Sequence, residues 1–191
     1  MTTANWITIG RILLVPLFVV ELLAYIGTGR EAHRWLAILL FTTAAVGDGV
    51  DGYVARRFNQ RSEMGALLDP LADKLLLVLG LVVLSLDNGP RLDRIPLWLT
   101  ATVLCRDVVL LLLMVLVNYL VGHGTVRPHI TGKIATVLQM TCVLWALFKL
   151  DLDWLRVWAL GATVGTLISG VLYLRDGLRM LKQRRPPPRP A

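Results

Sequence analysis

Apolar residues in this chain gather into six long runs, at 12–26, 35–46, 75–86, 108–121, 135–148 and 157–174. A bilayer core takes about 20 mostly apolar residues per helix, and small neighbours extend each run towards that length. The pattern predicts membrane-spanning helices near 12–28, 35–55, 65–86, 96–120, 131–149 and 155–174. The expected fold is all-α: a polytopic membrane protein, a bundle of six transmembrane helices. No internal repeat is evident.

Composition agrees with that pattern. The 191 residues allow one domain. With 55% hydrophobic and only 17% charged residues, the chain is too apolar for a water-soluble fold of this size. Disordered chains, secreted disulfide scaffolds and ordinary cytosolic enzymes are excluded. The net charge of +7 invites a nucleic-acid reading, but no basic stripe with interleaved aromatics exists. Instead the charge follows topology. With the N- and C-termini cytoplasmic, 12 Lys and Arg fall on the cytoplasmic side and 6 on the other, with Lys74 and Arg106 inside spans. That satisfies the positive-inside rule and indicates an inner (cytoplasmic) membrane location. Residues 1–181 are read as the membrane domain. The basic, Pro-rich segment 182–191 is read as a disordered tail on an anionic membrane surface. Residues 1–11 lack a small-residue cleavage site and lead into the first span, so they are expected to stay attached. Cys105 and Cys142 lie in apolar spans without a CxxC partner, and His33, His123 and His129 show no zinc-ligand spacing with them. Both thiols are expected to be small buried hydrophobes.

Charged groups inside a bilayer cost a few kcal/mol each and are functional candidates by default. Here they cluster. Spans two and three carry Asp48, Asp51, Asp69 and Asp73, with Arg56 and Lys74 beside them. The pairs are spaced by three and by four residues, so each pair occupies one helix face. The short loop 57–64 makes the two helices neighbours and brings both pairs to a similar depth, facing the cytoplasm. Four carboxylates in one space cannot all stay ionised without a cation, and two basic residues cannot pair with four acids. Hard oxygen donors at this density select Mg²⁺, Mn²⁺ or Ca²⁺, and four suit a two-metal site. Gly49 and Gly52 flank Asp51, Ala55 precedes Arg56, and Gly65 and Ala66 lie one turn before Asp69. Such positions either leave a slot for a flat ring or allow close helix packing.

Together these residues read Asp48-x-x-Asp51-Gly52-x-x-Ala55-Arg56-x8-Gly65-x3-Asp69-x3-Asp73. The pattern resembles, at every position and spacing, the signature of the CDP-alcohol phosphatidyltransferase family of integral membrane enzymes. Eight specified residues over 26 positions carry the likeness. Asn5-Trp-Ile-Thr8-Ile-Gly-Arg11 and Asp69-Pro-Leu-Ala-Asp73-Lys74 are also family-like, and Gly132-Lys133-Ile-Ala-Thr136-Val-Leu-Gln139 is similar to the branch of phosphatidylglycerophosphate synthases and CMP-forming cardiolipin synthases. The resemblance implies transfer of a phosphatidyl group from CDP-diacylglycerol to an acceptor hydroxyl, with release of CMP. It implies Mg²⁺ or Mn²⁺ held by Asp48, Asp51, Asp69 and Asp73, a CDP pocket shaped by Gly52, Ala55, Arg56 and Gly65, and Asp73 as catalytic base. Members of that family are often homodimers.

Arg106 and Asp107 are the charged pair of span four. Adjacent helical residues point about 100° apart, so the two are expected not to satisfy each other. Arg106 with Lys133 is the candidate site for an acceptor phosphate, and Arg127 is a further candidate. Glycerol 3-phosphate is the favoured acceptor because that enzyme is the commoner bacterial need; phosphatidylglycerol is the alternative, because Ala135 departs from the pattern of phosphatidylglycerophosphate synthases and Arg106-Asp107-Val108 is more similar to the CMP-forming cardiolipin synthases. Two other classes remain. A diphosphate-binding prenyltransferase would want its acidic motifs far apart in the chain. A divalent-cation transporter would need a polar path to the far side, yet spans one, five and six offer only Glu21, Thr136, Gln139 and a few hydroxyls.

Overall fold

The computed structural model describes the backbone of residues 3–58, 63–86, 88–121 and 130–182. It describes their side chains except at 3–12, 48–58, 63–73, 118, 120–121, 180 and 182. Six helices follow in order: α1 (Thr3–Thr28), α2 (Glu31–Phe58), α3 (Glu63–Ser85), α4 (Leu97–Val121), α5 (Ile130–Leu147) and α6 (Leu152–Lys182). No strand occurs among the described residues. Each helix overlaps one of the six apolar runs and reaches past it at one or both ends. α1 starts at Thr3, so the polar segment before the first span is continuous with it, and α6 continues to Lys182, past the expected end at 174. A helix satisfies its own backbone groups whether or not its side chains are apolar, so hydropathy underestimates its ends. Segment 183–191, most of the expected tail, lies outside the described residues.

Leu97–Val117, Ile130–Leu147 and Leu152–Arg179 are each long and apolar enough to cross a membrane, and Leu13–Thr28 and Lys74–Ser85 are shorter apolar stretches. The exposed surface is largely leucine and valine, for example Leu13, Leu39, Leu111, Leu112 and Val171. A water-soluble monomer rarely shows so large an apolar surface. The protein is a helical membrane protein.

The buried core is a layer of large side chains, Phe18, Leu22, Tyr25, Phe41, Leu76, Leu84 and Leu99, with Ala146 and Ala159 where helices approach closely. α1 packs on α2 and α3, α5 on α6, and α4 on α6 and α3, while α2 touches α3. Three connections meet at one end of the bundle. Arg91 donates to the carbonyl of Ile26, Arg34 Nη1 to that of Leu147 at 3.0 Å, and Lys149 Nζ reaches Glu31 Oε1 at 3.0 Å. Gly29 ends α1 with φ +73° and a hydrogen bond to Tyr25 O, the left-handed helix stop that glycine adopts without a Cβ penalty. A Cβ there would lie 3.2 Å from Arg91 Nε, so the same glycine admits that arginine. At the start of α6, Asp151 Oδ1 accepts from the amides of Asp153 and Trp154, a side-chain cap on the first turn. α2 ends and α3 begins at the opposite end, which is where the acidic signature runs.

Candidate active site

The signature occupies the last turns of α2 and the first turns of α3. The side chains of Asp48, Asp51, Gly52, Ala55, Arg56, Gly65, Asp69 and Asp73 lie outside the described residues. What the structure does describe begins at the next residue, Lys74, and leads directly to α4. Lys74 Nζ lies 3.2 Å from Asp107 Oδ1, and the same oxygen accepts from Arg106 Nη1 at 2.8 Å. Arg106 and Asp107 therefore do pair, contrary to the sequence expectation. Their Cβ directions diverge, but the arginine stem is long enough to swing back across the intervening angle.

Arg106 sits at a junction of three helices. Its Nη2 donates to Ser169 Oγ on α6 at 2.9 Å, and its guanidinium carbon lies 5.8 Å from the centre of the Tyr173 ring, within range of a cation–π attraction. Gly132 on α5 and Gly170 on α6 make the space. A Cβ at Gly132 would lie 3.2 Å from Ser169 Oγ and 3.4 Å from both Arg106 Nη2 and Tyr173 Oη, and one at Gly170 would lie 3.4 Å from Arg106 Cγ. The side chain is only 16% exposed. Its Nε is buried with no hydrogen-bond partner among the described residues, as is Thr131 Oγ1 on the same turn as Gly132. A buried donor of a charged group left unpaired is costly, so this nitrogen marks a place suited to an anion.

Lys133, the other expected acceptor residue, is exposed and forms no ion pair among the described residues. It follows Gly132, which the structure packs against Arg106. The sequence reading missed Ser169, Tyr173 and the contact of Asp107 with Lys74. A usable signal was present: Ser169 and Tyr173 are four apart, on one face of α6, with Gly170 between them.

Several polar groups elsewhere in the bundle pair with one another. His33 Nδ1 meets Glu21 Oε2 at 2.6 Å, Gln139 Nε2 donates to Thr166 Oγ1 at 2.7 Å, and Ser85 Oγ meets Thr100 Oγ1 at 2.5 Å. Glu21 and Gln139 are thus each tied to a neighbouring helix. Cys142 is buried as expected, but Cys105 is exposed on α4. A cavity of about 550 Å³ lined in part by Asp93, Arg94, Trp98 and Arg156 lies at the end away from the signature.

Comparison with known proteins gives the following. The profile of the CDP-alcohol phosphatidyltransferase family matches residues 1–169. The chain is 34% identical over 181 residues to a probable phosphatidylglycerophosphate synthase of Mycobacterium tuberculosis, covering 92% of this chain and 81% of that one. It is 33% identical over 192 residues to a CMP-forming cardiolipin synthase of Streptomyces coelicolor, covering 95% and 85%. It is 31% identical over 172 residues to a CDP-diacylglycerol–glycerol-3-phosphate 3-phosphatidyltransferase of Escherichia coli K12, covering 88% and 90%.

Proposed function

Because the chain belongs to the CDP-alcohol phosphatidyltransferase family, we propose that it transfers the phosphatidyl group of CDP-diacylglycerol to the hydroxyl of glycerol 3-phosphate and releases CMP. The observation that carries this reading is the cage around Arg106 on α4, which Lys74, one residue beyond the signature on α3, reaches through Asp107. Arg106 and Lys74 share the carboxylate of Asp107, and Lys133 follows Gly132, which packs against Arg106. A cluster richer in cations than in acid suits a phosphate monoester, which carries nearly two negative charges at neutral pH, better than the single charge of a phosphodiester. The names of the relatives from Mycobacterium tuberculosis and Escherichia coli support the same acceptor. The relative from Streptomyces coelicolor supports the alternative, a CMP-forming cardiolipin synthase that accepts on phosphatidylglycerol.

Asp48, Asp51, Asp69 and Asp73 are the residues that hold divalent metal in this proposal. The donor chemistry fits. All four are hard oxygen ligands suited to Mg²⁺ or Mn²⁺, and Lys74 and Arg106 already engage Asp107, which leaves the acids short of basic partners. Bound metal supplies the positive charge that offsets the diphosphate and the departing nucleotide. Gly52, Ala55 and Gly65 leave room for the cytidine, and Arg56 offers a planar fork of donors to its phosphates. Arg106 and Lys133 hold the acceptor phosphate, and Asp73 takes the proton from the acceptor hydroxyl as its oxygen attacks phosphorus. The site faces the cytoplasmic side of the inner membrane, with both termini cytoplasmic, so that a soluble acceptor and a lipid donor meet there. A homodimer in the bilayer is part of the same proposal. The test is CMP release by the purified protein with CDP-diacylglycerol, Mg²⁺ or Mn²⁺, and each acceptor in turn. Release that requires glycerol 3-phosphate is the expected result, and release only with phosphatidylglycerol would move the chain to the alternative.

A further inference from the structure

We infer that Asp107 is a positioning residue for the acceptor subsite, one carboxylate oxygen that aims two cations and fixes α3 against α4 at the residue after Asp73. The inference rests on the function proposed above. Asp107 Oδ1 lies 2.8 Å from Arg106 Nη1 and 3.2 Å from Lys74 Nζ. The donors come from different helices, so this oxygen sets the rotation of α3 relative to α4 as well as the pose of the guanidinium. Asp107 is 18% and Arg106 16% exposed, and in such poorly solvated surroundings a charge contact is stronger than in water.

The remaining contacts act on Arg106 alone. Ser169 anchors Nη2, the Tyr173 ring lies beside the guanidinium, and Gly132 and Gly170 leave the space it occupies. The guanidinium is planar and rigid, so two nitrogens tied to protein determine the direction of the third. That third nitrogen, Nε, is the buried donor with no partner among the described residues. Lys74 is half exposed and has three rotatable protons, so its contact with Asp107 leaves others for a ligand.

Neutralising Asp107 has two opposed effects, and their balance is the test. Removing its charge strengthens the pull of Arg106 and Lys74 on an anion. It also removes the aim of both, because two cations held within about 6 Å by a shared oxygen repel once that oxygen is weakened as an acceptor. If Asp107 positions, the second effect dominates. The experiment is steady-state kinetics on the full chain with glycerol 3-phosphate and CDP-diacylglycerol varied separately, for Asp107→Asn, Asp107→Glu and Ser169→Ala, each with a thermal melt. Asp107→Asn should raise the acceptor KM about tenfold or more with the KM for CDP-diacylglycerol within about twofold. Asp107→Glu should restore most of that loss. Ser169→Ala, which changes no charge, should raise the acceptor KM by roughly threefold to tenfold and keeps the idea testable if Asp107→Asn does not fold. An unchanged or lowered acceptor KM in Asp107→Asn would overturn the inference, because Asp107 then only offsets charge. Equal damage to both constants with a lowered melt would overturn it in favour of packing. A wild-type protein that releases no CMP with either acceptor would overturn the underlying reading, and this one with it.

Discussion

Replacing Arg106 by lysine separates the charge of this residue from its geometry. The native side chain makes two hydrogen bonds, 2.8 Å to Asp107 and 2.9 Å to Ser169, and its Nε is buried with no partner among the described residues. Lysine keeps the charge and can reach Asp107, but a single ammonium cannot also hold Ser169 and present a donor in the direction of Nε. Asp107 retains Lys74 in either case, so no carboxylate is left wholly unpaired and the bundle should still fold. A charge-assisted hydrogen bond is worth about 1.5–3 kcal/mol. Losing the one made to the acceptor therefore lowers kcat/KM for glycerol 3-phosphate by roughly tenfold to a hundredfold. Arg106→Ala removes both protein contacts as well and should add a fall in melting temperature, whereas Arg106→Lys should melt near the wild type. The assay is CMP release with each substrate varied at saturating levels of the other. A wild-type acceptor constant in a folded Arg106→Lys protein would refute the reasoning, as would equal loss for both substrates.

Asp69→Asn should abolish metal-dependent activity without lowering the thermal melt, since asparagine keeps shape and loses charge, and full wild-type activity in EDTA would count equally against a metal site. Gly65→Leu should raise the Michaelis constant for CDP-diacylglycerol severalfold by filling the space proposed for the nucleotide, and an unchanged constant would return that glycine to helix packing. At the opposite end, Lys149 and then Arg34 hold the Glu31 carboxyl below its ordinary value. A carboxyl whose value is lowered by folding stabilises the fold above the ordinary carboxylate range, and that contribution is lost as pH falls through the lowered value. The melting difference between wild type and Glu31→Gln should accordingly be largest near neutral pH and close in acid, and a difference that grows on acidification would contradict the assignment.

The helices were legible because each carries its own signal. The apolar runs at 108–121 and 157–174 fall within α4 and α6, since a segment in a bilayer must satisfy its backbone internally whatever its neighbours are. Their polar extensions, Thr3 to Arg11 and Arg175 to Lys182, were not legible, because hydropathy reports where a helix leaves the hydrocarbon and not where its hydrogen bonding stops. The acidic signature was legible for a different reason: its residue types are costly in a membrane and its spacings are helical. The cage around Arg106 was only half visible. Arg106 and Lys133 stand out as charges, but Ser169, Tyr173 and Lys74 join them through contacts between α4, α6 and α3, and no single-helix spacing encodes which faces meet. Adjacent numbering misled in one place, where the reach of the arginine stem outweighed the divergence of its Cβ from that of Asp107.

The central claim is a choice of acceptor at a metal-dependent phosphatidyl transfer, and competition measures it most directly. The purified protein is incubated with CDP-diacylglycerol, Mg²⁺ or Mn²⁺, and equal concentrations of glycerol 3-phosphate and phosphatidylglycerol, and the lipid products are identified by mass spectrometry. The account predicts phosphatidylglycerophosphate as the dominant product, formed together with CMP and abolished by EDTA. Cardiolipin as the dominant product would contradict the choice of acceptor, and no new lipid from either acceptor would contradict the transfer itself.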